Sequence, residues 1–89
     1  MPTAELNTTM KQLASNVWKV VLHDDSSISE QEVVQIIQKH LFYSIEQCKY
    51  IASSARKTGR SVVVSAVRLI AEEYDRRLSD EGLTTTLEQ

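Results

Sequence analysis

The sequence predicts an α+β domain, a three-stranded sheet with three helices packed on one face, in the order β-α-α-β-α-β. Three observations lead there. Two β-branched runs, "VWKVVL" and "SVVVS", and a threonine-rich C-terminal stretch read as strands. The segments "SEQE" and "SIEQ" are helix-start signatures, each followed by apolar residues at helical spacing. The only two glycines, Gly59 and Gly82, fall where the helical patterns stop.

The chain has 89 residues, 42% of them hydrophobic. That suffices for one domain with a single core and is too apolar for a disordered chain. Residues 1–16, "MPTAELNTTMKQLASN", lack a sustained apolar period and read as a flexible N-terminal tail before a core domain at 17–89. Order begins at Val17, and the β-branched and aromatic run through Leu22 forms the first strand. Ser29 then opens the first helix, its hydroxyl accepting from the Glu32 amide while the Glu32 carboxylate reaches back. Val33, Val34, Ile36, Ile37 and Leu41 give that helix a broad apolar face, which Phe42 and Tyr43 close.

The pattern repeats at once. Ser44 and Gln47 form a second capping box, followed by Ile45, Cys48, Ile51, Ala52 and Ala55. Arg56 and Lys57 suit the negative end of this helix, and Gly59 supplies a left-handed cap. The run from Ser61 to Ser65 reads as a short buried strand, after which Ser65 caps a third helix. Val67, Leu69, Ile70, Ala71, Tyr74 and Leu78 are spread widely around that helix, and Gly82 stops it. "LTTTLEQ" favours a final strand.

Composition narrows the function. A net charge of −2 gives no basis for attraction to a nucleic-acid backbone, and no aromatic stacking array is present. A single cysteine, Cys48, cannot form an intramolecular disulfide, which fits a reducing compartment. No apolar run approaches membrane-spanning length and the N-terminus has no signal-peptide pattern, so a soluble protein without a membrane partner is expected. His23, His40 and Cys48 show no metal-ligand spacing. There is no glycine-rich phosphate loop and no nucleophile elbow. No catalytic residue, metal or cofactor is expected.

The concentrated chemistry lies in "WKVVLHDDSSIS", where a strand ends in two adjacent carboxylates. Asp24 and Asp25 fit either a solvated turn bonding its own amides or an anionic corner for a cation on another polypeptide. "ARKTGR" fits either dipole-matched helix termination or a patch for a phosphate or an acidic partner. Val33, Ile51 and Ala55 read first as core, and Trp18 and Tyr74 as core or rim.

"WKVVLHDDS" resembles the opening strand and acidic loop of the ClpS family, adaptors of bacterial and plastid Clp proteases. The resemblance continues through "TGR" and the aliphatic run Val62 to Val64, then "AE" at Ala71-Glu72, and closes with "LTTTLE" at Leu83 to Glu88. It covers residues 18–88 in the family's element order, with a shortening between Glu72 and Gly82. The resemblance implies a non-enzymatic adaptor that binds substrate proteins by their N-terminal residue and delivers them to the Clp unfoldase. The implied partners are the N-terminal domain of a Clp AAA+ ATPase and substrates with an exposed N-terminal residue. The implied location is the cytoplasm or the plastid stroma, with residues 1–16 as a flexible handle for the unfoldase.

The implied pocket has two parts. Asp24, Asp25 and Arg56 fall at the positions that hold the α-ammonium, whose three donors and one charge suit a carboxylate with neutral acceptors. Ile28, Val33, Ala52, Ala55 and Leu83 fall at the positions of an apolar cup. Without gaps, Asp24 takes the place of the family's Asn and Asp25 that of its Asp; a one-residue deletion would put His23 on the Asn instead. Arg56 replaces the family's second-helix His. A guanidinium accepts no hydrogen bond, so Arg56 is expected to pair with Asp25 and compete with a ligand's charge. Ala52 stands where a larger residue, often Met, gates side-chain size, and Glu30 where an apolar residue is usual. A wider cup with a more acidic rim follows. Leu69 and Tyr74 stand where the third helix often carries charged contacts. The alternative function is a docking or regulatory module of the same fold that binds a Clp chaperone or another protein and has lost recognition of N-terminal residues.

Overall fold

The computed structural model describes residues 16–89, so the expectation of a flexible tail falls, apart from Asn16, outside the described residues. The elements are β1 (Val17–His23), α1 (Glu30–His40), α2 (Ile45–Thr58), β2 (Arg60–Val67), α3 (Arg68–Asp80) and β3 (Thr85–Glu88). This is the predicted order. The three strands form one antiparallel sheet, β2-β1-β3. β1 is the central strand and is covered on both sides: Val20, Val21 and Leu22 are all buried.

Side chains alternate along β1. Val20 and Leu22 join the core with Val33, Ile37, Cys48, Ala71 and Leu78. Val21 is equally buried yet points to the other face, where the register sets it between Val62 and Thr86. Arg60, opposite His23, and Glu88, opposite Lys19, form an ion pair that links the two edge strands across β1. The register slips between Val20 and Val21, so Val63 is an extra residue, a β-bulge. Val63 is buried, and its carbonyl accepts a 2.8 Å hydrogen bond from the Tyr43 hydroxyl.

Both predicted caps form. Ser29 Oγ accepts from the Glu32 amide at 3.1 Å, although the Glu32 carboxylate takes the Ser29 hydroxyl instead of completing the box. At α2 the box closes in both directions, through Gln47 N to Ser44 Oγ and Ser44 N to Gln47 Oε1. Gly59 caps α2 at φ 94°, a conformation a Cβ would strain.

The start of the third helix differs from the expectation. Ser65 does not cap it; β2 runs on to Val67, with Ser65 opposite Lys19, and α3 begins at Arg68 behind Val67 with no side-chain cap. The strand continues because β1 extends back to Val17 and offers Val67 a partner. Arg68 then lies 5.0 Å above the Trp18 ring, a cation–π contact across the same corner. Leu69 and Ile70 are exposed, so α3 buries a narrower stripe than its composition suggests, centred on Ala71 and Leu78. No helix among the described residues is long and apolar enough to cross a membrane.

Candidate functional site

The end of β1 is pinned on both sides. The Asp24 amide donates to the Gly59 carbonyl (2.9 Å) and the His23 amide to the Thr84 carbonyl (2.9 Å). The acidic loop is thereby wedged between the turn after α2 and the loop before β3. Asp25 then folds the loop back on itself. Its Oδ1 accepts from the Ser27 amide (2.9 Å) and hydroxyl (2.6 Å), and its Oδ2 from the Thr84 hydroxyl (3.0 Å). Those bonds, from Ser27 first and then Thr84, hold its carboxyl below the usual value, with a smaller contribution from the Arg56 charge. Asp25 is a fixed anion at neutral pH.

Asp24 has a different partner. Arg56, in the last turn of α2, places Nε 3.3 Å from Asp24 Oδ1 and donates from Nη2 to the Ile28 carbonyl at 2.8 Å. The expected pairing of Arg56 with Asp25 is therefore corrected. Asp25 already accepts three hydrogen bonds from Ser27 and Thr84 and keeps an acceptor position only on Oδ2, whereas Asp24 is tied by its amide to the end of α2 that carries Arg56.

Beside these groups lies the apolar set. Ala52 and Ala55 are buried on one face of α2, Val33 on α1 and Leu83 before β3, with Ile28 half-buried. All eight residues named from the sequence, Asp24, Asp25, Arg56, Ile28, Val33, Ala52, Ala55 and Leu83, line one depression. His23, which a one-residue deletion would set on the family's Asn, lines it too, as do Leu22 and Thr84, which the sequence reading missed. Thr84 is adjacent to Leu83 in a recognised motif, but its bond to a carboxylate 59 residues away exists only in the folded chain.

The depression is not wide. Its free space is about 10 Å³, room for roughly one water. The small side chain at Ala52 leaves no hole, because Leu22, Ile28 and Arg56 occupy the same depression. Glu30 does not form its rim either. One turn before Val34, Glu30 faces a separate groove of about 700 Å³ between α1 and α2, shared with Gln31, Tyr50 and Ser53.

Residues 14–86 match the family model described as ClpS, ATP-dependent Clp protease adaptor protein. The chain belongs to the ClpS family. Among solved structures, it resembles Agrobacterium tumefaciens ClpS2 bound to L-phenylalaninamide, with a TM-score of 0.78 and 25% identity, over 82% of this chain and 95% of that one. No curated protein matches. ClpS proteins are adaptors and not catalysts, and the three helices and antiparallel sheet described above are the ClpS fold.

Proposed function

We propose that this ClpS protein binds the N-terminal residue of substrate proteins in the depression beside Asp25 and hands them to a Clp AAA+ unfoldase through that enzyme's N-terminal domain. The observation carrying the reading is the juxtaposition of Asp25, an anion at neutral pH, with an apolar lining of Ile28, Val33, Ala52, Ala55 and Leu83. An α-ammonium needs a charged acceptor, and the side chain on the same carbon needs an apolar surface within a few ångströms. Asp25 meets the first need without reorganising, because Ser27 and Thr84 already orient it. L-phenylalaninamide, the ligand of the similar Agrobacterium protein, carries a free ammonium beside an apolar side chain and so matches this chemistry.

A second reading has its own support. The Arg56–Asp24 ion pair and the free space of only about 10 Å³ favour a module that docks on a Clp chaperone or another protein without reading N-terminal residues. Titration with short peptides beginning with Leu, Phe, Tyr, Trp or Arg, each beside its N-acetylated twin, separates the two. For the adaptor, binding vanishes on acetylation and falls at least about tenfold in Asp25→Ala, the loss of one charge-assisted contact. Binding that ignores both changes, together with retention on an isolated Clp N-terminal domain, leaves the docking module.

A further inference from the structure

The depression holds charges of both signs. Asp25 is held by three hydrogen bonds from Ser27 and Thr84. Arg56 is held more loosely: its side chain is 39% exposed and that of Asp24 38%, so their ion pair is screened by solvent and readily exchanged. A guanidinium has five N–H donors. Among the described residues, Nε faces Asp24, Nη2 bonds the Ile28 carbonyl, and no partner bonds Nη1. The site thus presents a fixed anion and a movable cation with donors to spare.

We infer that Arg56 reads the group next to the ligand's ammonium and favours a carboxylate there, either the α-carboxylate of a free amino acid or the side chain of an acidic second residue. This rests on the assignment of the depression as an N-terminus pocket. The Arg56 charge acts with opposite sign on the two ends of such a ligand. It opposes the ammonium, for which Asp25 compensates, and attracts the carboxylate as the one lysine or arginine in the lining. Entry requires movement, because the free space is about one water. Arg56 and Asp24 form an exposed wall, and a guanidinium displaced from Asp24 regains a carboxylate partner only if the ligand brings one. A neutral amide offers it a carbonyl dipole alone.

The test is a coupling measurement. Leucine and leucinamide are titrated into the native protein, Arg56→Gln and Arg56→Lys by calorimetry, with N-acetyl-leucinamide as control. The affinity of leucine relative to leucinamide should fall about fivefold or more in Arg56→Gln and be largely retained in Arg56→Lys, because the charge persists. A purely structural role for Arg56 would shift both ligands equally and leave the ratio unchanged. The tripeptide amides Leu-Glu-Ala and Leu-Gln-Ala identify the source: a matching glutamate advantage assigns the preference to substrate N-termini, and its confinement to free leucine assigns it to a small-molecule amino acid. An unchanged ratio, with leucinamide still bound and its acetylated twin not, overturns this inference and leaves the N-terminus pocket standing. Failure of every free amine to bind overturns both.

Discussion

The two ends of the α1–α2 pair are built differently. At the far end, Tyr43 donates its hydroxyl to the bulged carbonyl of Val63, and Lys39 and His40 both reach Glu81 beyond α3, at 2.9 and 3.0 Å. His40 and Glu81 are mostly shielded there, with side chains 17% and 28% exposed. At the near end the corresponding polar groups are Asp24 and Arg56, each more than a third exposed, beside an apolar lining. The far end joins elements distant in sequence through groups that find no better partner outside. The near end uses an ion pair that water, or a ligand, can replace at little cost. A fold needs the first kind of closure; a binding site needs the second.

Truncating the shared core has the largest expected effect. Ile37 is fully buried in the last turn of α1, and Ile37→Ala should cost about 2–5 kcal/mol, taking both ends down in one cooperative transition. Denaturation followed separately by Trp18 fluorescence and by backbone circular dichroism tests this, and two non-coincident transitions would show that the ends are not supported by one core. Tyr43→Phe is smaller and sharper. It should cost about 1 kcal/mol by leaving the part-buried Val63 carbonyl without its donor, while leucinamide affinity stays at the native value. An affinity loss of similar size would mean that the two ends are coupled.

The smallest effect concerns pH. Lys39 first and His40 second hold the Glu81 carboxyl below its ordinary value of 4.5. A depressed carboxyl stabilises the fold above its unfolded value, and that contribution is lost as pH falls through the folded one. Glu81→Gln should therefore lower the melting temperature slightly at neutral pH and make no difference well below pH 4.5. A deficit that persists unchanged in acid would assign the loss to packing, not charge. Asp25 follows the same sign, so acid should weaken amine binding at the near end as Asp25 protonates.

Much of this was legible in the sequence where causes are local. Ser29 and Ser44 cap their helices through amides three residues on, and Gly59 takes the left-handed conformation its position implied. Ser65 shows the limit. Its side chain has the chemistry of a cap, but β1 running back to Val17 kept the backbone in the sheet through Val67, and cross-strand pairing prevailed over local propensity. Val21 could not be recognised as buried on the outer face, since its neighbours there, Val62 and Thr86, come from strands distant in sequence.

Local pattern by itself determined the element order and the helix boundaries at Ser44 and Gly59, because alternation and capping act within a few residues; the eight residues of the depression were named only through the resemblance to the ClpS family. The tertiary structure alone decided which carboxylate Arg56 holds, which one stays oriented by Thr84, and how little space remains between them. Those outcomes depend on atoms brought together from α2, the acidic loop and the approach to β3, and no spacing along the chain encodes distances between them.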